Sequence, residues 1–71
     1  MKIQYDPQAD ALYIELRDTA IAESDEVTQG FIVDYDAAGQ PVAIEILDAS
    51  QVLGSREMRV ELAVAESMKH R

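Results

Sequence analysis

The sequence predicts an α+β domain that is mainly β: an antiparallel sheet of four to five strands with one short helix packed on a face. Three stretches carry that expectation. Residues 31–47, FIVDYDAAGQPVAIEIL, read as two apolar strands folded back across Asp36-Ala37-Ala38-Gly39. Residues 11–17 alternate cleanly, with Leu12, Ile14 and Leu16 on one side and Tyr13, Glu15 and Arg17 on the other. Asp48-Ala49-Ser50 followed by Gly54 brackets a helix of one or two turns, capped by Asp48 or Ser50.

Taken in order, residues 2–6 place Ile3 and Tyr5 on one side of a short strand. Asp6-Pro7-Gln8-Ala9-Asp10 follows as a turn, because Pro at the second position presets the backbone angle of a type I turn and Asp accepts its amides. Residues 11–17 are then a half-buried strand antiparallel to the first. Residues 18–26 are polar and small, a connection whose one large apolar residue, Ile21, is expected to tuck against the sheet edge. A strand resumes near Val27, and Gly30 inside it predicts a bulge or a close backbone approach.

The central hairpin comes next, with Gly39 as the left-handed residue of its turn, Asp36 accepting turn amides, and Pro41 opening the second strand, where no donor is needed. Apolar residues fall on both parities of this hairpin, so both faces are expected to be covered. After the helix, Met58, Val60, Leu62 and Val64 alternate with Arg59, Glu61, Ala63 and Ala65. That period favours a fifth strand over residues 57–64, although Ala, Glu, Met and Leu are also good helix formers. Residues 1–65 are thus read as a single small sheet domain and residues 66–71 as a frayed tail.

Seventy-one residues bury only about 60% of their unfolded surface. With no cysteine there is no disulfide to compensate, and self-association, a homodimer, is the expected way to complete the core. Absence of cysteine, of a long apolar run and of a basic-then-apolar start points to a cytoplasmic protein with no membrane partner. Formal net charge is -8, and residues 1–36 hold nine acids against Lys2 and Arg17. Such a surface repels phosphates, so no nucleic acid is expected as a partner.

Elimination decides most of the chemistry. The one histidine, His70, lies in the tail, so neither a Ser-His pair nor a zinc site can be built in the folded part. Glycines at 30, 39 and 54 make no phosphate loop. No catalytic constellation and no cofactor are expected. Asp34, Asp36 and Glu45 have some of the spacing of a calcium loop, but Ala38 stands where a further oxygen belongs, and the hairpin reading takes precedence. Asp6, Asp10 and Glu15 could be imagined as paired carboxylates of a glycosidase type; without a cleft they read as turn chemistry and a solvated face. Phe31, Val33, Tyr35 and Tyr13 are the candidate interface residues, because aromatic and β-branched side chains suit contact surfaces.

Three phrases, YDPQADALYI over residues 5–14, GFIVDYD over 30–36 and IEILDAS over 44–50, stand in an order and spacing that resembles the small prokaryotic family called domain of unknown function 2283. The likeness spans roughly residues 2–53. It implies a small sheet-rich cytoplasmic domain of bacteria, archaea or their phages, with no known activity, cofactor or catalytic residue to carry over. Relatives placed beside small toxin-like genes imply an antitoxin role. The leading expectation is therefore a non-enzymatic protein-interaction module, antitoxin-like, whose acidic first half meets a basic protein partner. The alternatives are a phage-encoded acidic inhibitor mimicking nucleic acid, and a divalent-metal-binding protein or small enzyme using Asp34, Asp36 and Glu45.

Overall fold

Each strand-forming stretch needs a neighbour for its backbone donors and acceptors, and the chain satisfies that need with one five-stranded antiparallel sheet. The structure, a computed structural model, describes residues 1–55 and 57–65. In chain order the elements are β1 (Lys2–Asp6), β2 (Ala11–Glu15), β3 (Glu23–Thr28), β4 (Phe31–Tyr35), β5 (Pro41–Ile46) and the helix α1 (Ala49–Leu53). Across the sheet the order is β1-β2-β5-β4-β3, which puts β5 in the middle and leaves β1 and β3 as edges. The predicted class, mainly β with one short helix, is the class adopted.

The central hairpin forms as its residues dictate. Gly39 takes φ 80 and donates its amide to the Asp36 carbonyl at 2.9 Å. Asp36 Oδ1 accepts from the Ala38 and Gln40 amides at 3.0 and 2.9 Å. Pro41 opens β5 opposite Tyr35, at a register shift where the lost donor costs no ladder bond. In the first hairpin, Asp6 Oδ1 accepts from the Gln8 and Ala9 amides at 3.0 and 3.3 Å, the side-chain support expected for that turn.

Several expectations need correction. β2 stops at Glu15 instead of residue 17, because the amides of Leu16 and Arg17 both turn to the Val42 carbonyl and the ladder cannot advance. Residues 18–26 are not all connection: β3 begins at Glu23. Every residue of β3 is exposed, so no apolar alternation exists to announce it. Ile21, expected against the sheet, is exposed.

The bulge anticipated at Gly30 lies instead between Glu26 and Thr28, while Gly30 occupies the turn at φ 81. The expected close approach is present, since the Gly30 carbonyl accepts from the Leu47 amide at 2.8 Å. Residues 57–64 form neither strand nor helix; their period of two finds no ladder partner among the described residues. The expected tail at 66–71, His70 included, lies outside the described residues.

Register sorts the side chains into two unlike faces. Ile3, Tyr5, Leu12, Ile14, Ile44, Ile46, Phe31 and Val33 stand opposite one another in successive pairs and share one face, and Tyr35, two residues beyond Val33 on β4, projects on the same side. The other face carries Gln4, Tyr13, Glu15, Glu45, Asp34 and Ser24, with Ile32 its one large aliphatic side chain on a strand. Expecting apolar cover on both faces was therefore wrong: only one face is hydrophobic.

Helix α1 sits on that apolar face, and its anchorage comes from far away in sequence. Asp48 occupies the N-cap position in a left-handed conformation and makes no side-chain cap bond. Asp10 supplies the cap instead: its carbonyl accepts from the Ala49 amide at 2.9 Å, Oδ1 from the Ser50 amide at 3.0 Å, and Oδ2 from the Ser50 hydroxyl at 2.6 Å. Tyr5 adds a fourth bond, donating its hydroxyl to Asp10 Oδ1 at 2.6 Å. Gly54 at φ 77 closes the helix, as expected.

Candidate functional site

The apolar face is the first candidate surface, and its cover is incomplete. Among the described residues only Val42, Ala43 and Ala49 are buried hydrophobics, and Val42 is the one large side chain fully enclosed. One short helix cannot roof a sheet of this width. Leu53 and residues 57–61 reach over the β1–β2 half, forming an open groove of about 560 Å³ with Ile3, Leu12 and Ile14 beneath. On β4, Phe31, Val33 and Tyr35 are half-buried. Of the groups that cover the groove, Leu53 is itself 49% exposed and Val60 60%.

The rim of this face is acidic. Glu23 pairs with Tyr35 and Asp25 with Val33, so both carboxylates project on the apolar side at the outer edge of β4. Glu26, opposite Ile32, falls on the other side. The edge is thus a broken set of acids and lacks the single regular row that a phosphate backbone presents.

The polar face holds the second cluster. Asp34, 8% exposed, accepts from the Ser24 hydroxyl at 2.6 Å on Oδ1 and from the Tyr13 hydroxyl at 3.4 Å on Oδ2. Burial first, then the negative charge of Asp34, push the Tyr13 phenol above its ordinary value of 10.0. Two hydroxyls around a carboxylate, with no imidazole or amine to take a proton, make a fixed polar network and no activated nucleophile.

The predicted site residues separate. Phe31, Val33 and Tyr35 share the apolar face, whereas Tyr13 projects on the opposite one, so the four do not form one patch. Asp34 and Glu45 lie on the polar face; Asp36 is at the hairpin turn, its Oδ1 held by turn amides and its Oδ2 by Arg17 at 2.9 Å. The Gln40 amide, then the Arg17 hydrogen bond, hold the Asp36 carboxyl below its ordinary 3.8. Among the described residues no three acids or histidines come together as a cation site.

Asp6, Asp10 and Glu15 also go separate ways, to the turn, to α1 and to the far end of β2 opposite Lys2. What sequence reasoning missed is the acidic edge β3; its signal was three acids within four residues, Glu23 to Glu26, read as a loop. Among the described residues no helix is long and apolar enough to cross a membrane.

A family model described as protein of unknown function (DUF2283) matches residues 2–50, more than half of the chain and all five strands. No curated protein and no solved structure matches the chain.

Proposed function

The chain belongs to the family described as protein of unknown function (DUF2283), a membership that assigns no chemistry, and we propose from its surfaces that it is a non-enzymatic protein-interaction module. One observation carries this reading: a sheet with a wholly apolar central face encloses a single large side chain, Val42. Contiguous apolar surface left exposed is the usual mark of a contact site. The rim of Glu23 and Asp25 supplies direction, since acids bordering an apolar patch steer basic partners and repel acidic ones. An antitoxin-like role in the cytoplasm, neutralising a basic protein, fits both features.

The test uses the intact chain immobilised as bait beside a Glu23→Lys, Asp25→Lys double variant, each challenged with the same lysate at low and high salt. Basic proteins retained at low salt, released at high salt and lost by the variant are the expected result. Retention of acidic or neutral proteins only, or binding indifferent to salt and to the two substitutions, would discard the acidic rim as a recognition element.

A further inference from the structure

We propose that the β1 edge of the sheet pairs with the same edge of a second copy, antiparallel and centred on Gln4, so that two five-stranded sheets join into one. The inference comes from the sheet edges and stands apart from the reading of the apolar face.

The two edges are built differently. β3 is exposed along its whole length and carries Glu23, Asp25 and Glu26, with a register shift after Glu26. Acids and a broken ladder keep an edge from accepting another strand. β1 has neither: all five of its residues pair with β2 in unbroken register, and its far side meets no strand among the described residues. Lys2, Ile3, Gln4 and Asp6 are exposed. A regular edge of this kind offers its outward amides and carbonyls to an added strand.

Residue order selects a second copy. Read from either end, β1 runs charge, apolar, Gln, apolar, opposite charge. When two such strands lie antiparallel about Gln4, Lys2 falls opposite Asp6 of the other copy, Ile3 opposite its Tyr5, and Gln4 opposite Gln4. Opposed residues project on the same side of a sheet, so Ile3 and Tyr5 meet on the apolar face and the charges meet on the polar one. Each unlike contact occurs twice, as a self-complementary two-fold interface requires. Neighbouring registers lose the match. Centred on Ile3, Lys2 meets Gln4 and Asp6 has no opposite residue; centred on Tyr5, Asp6 meets Gln4 and Ile3 meets Pro7.

Both charges are available for the contact. Lys2 stands across from Glu15 on β2 but closes no ion pair with it, the ion pairs among the described residues being Arg17–Asp36 and Arg59–Glu61. Asp6 spends Oδ1 on the amides of Gln8 and Ala9, which leaves Oδ2 for an outside donor. Ile3, 38% exposed, gains cover from the second copy's Tyr5. At a net charge of -8 two copies repel at long range. That repulsion bars β3 from β3, whereas at β1 one acid balances one base and the crossed charges attract.

Sedimentation of the full chain should show a species of twice 7.9 kDa that dissociates on dilution, because a five-residue edge is a small contact. The chain contains no cysteine, so introduced thiols report cleanly. Under mild oxidation Gln4→Cys should link to itself faster than Lys2→Cys, whose two thiols would stand four residues apart along the strands, roughly 13 Å. Lys2→Glu should weaken association by roughly tenfold, because both charge pairs turn repulsive together, and Asp6→Lys should do the same. Mixing these two variants restores opposite charges at both pairs and should recover the association, a rescue that a folding defect in either chain would not give.

A monomer across the accessible concentration range overturns the inference, as does an open series of larger species, the product of β1 adding to β3. Linking of Lys2→Cys as fast as Gln4→Cys overturns it too. A monomer that still captures basic proteins through Glu23 and Asp25 would sink this pairing and leave the interaction-module reading in place, and a dimer that captures none would do the reverse.

Discussion

At the scale of single residues, Asp10 does the most for the fold. It adopts φ 53, a left-handed conformation that Asp tolerates better than most residues, and from there ties Tyr5, Ala49 and Ser50 together. Asp10→Gly keeps the backbone angle and removes both carboxylate oxygens. It should cost about 2 kcal/mol, the value of losing charged hydrogen bonds at a part-buried helix cap. Hydrogen exchange should show the loss concentrated in the amides of α1, and uniform loss across the sheet would contradict the anchoring role.

Gly39, at φ 80 with no atom near its absent Cβ, tests backbone strain alone. Gly39→Ala should destabilise by about 1 kcal/mol, and Gly39→Asn by less, in urea titrations. Asp36 gives stability a dependence on acid pH. Its folded pKa lies below the unfolded 3.8, so the stability it contributes is present above that value and is lost as pH falls past it. Asp36→Asn should flatten the melting-temperature profile in that acid range. Tyr13 works in the opposite sense: its raised pKa means that stability is held below 10.0 and lost as pH climbs beyond it, a loss that Tyr13→Phe should abolish.

At the scale of elements, β3 explains how the sheet ends. Edge strands present unpaired backbone groups that recruit other chains, and charge on the edge is a common protection. Glu23, Asp25 and Glu26 give that protection, and the shift between Glu26 and Thr28 breaks the ladder further. Replacing Asp25 and Glu26 together with Val should leave the native sheet intact but produce concentration-dependent light scattering. Continued clarity at high concentration would show that the acids serve recognition alone. Helix α1, five residues long, is too short to be stable by itself, so its existence depends on the Asp10 cap and on the burial of its own first residue, Ala49, which is wholly enclosed.

At the scale of the whole molecule, the governing fact is the mismatch between one apolar face and one short helix. A domain of this size has little stability in reserve, and each apolar residue left wet forgoes about 25 cal/mol per Å² that contact could return. Stability should therefore depend on concentration: the midpoint of thermal unfolding should rise as the protein is concentrated, because binding between native copies draws the equilibrium toward the folded state. A midpoint constant over a hundredfold range of concentration would mean that the sheet stands without a partner.

Much of this was legible in local sequence. The central hairpin, both turns supported by Asp, the first two strands and the helix bounded by Gly54 all follow from short-range rules about side-chain period, turn residues and donors. Burial is what writes period into a strand, so β3, exposed on every residue, shows no alternation, and its first four residues, 23–26, were taken for a connection. Period without a partner misled in the other direction at residues 57–64, where alternation exists but no ladder does. Only the tertiary structure decided that Asp10 caps a helix forty residues away, that Tyr13 turns its back on Phe31, Val33 and Tyr35, and that the acids of β3 border the apolar face. Each depends on the register between strands distant in the chain, which is set by the folded sheet and by no local residue pattern.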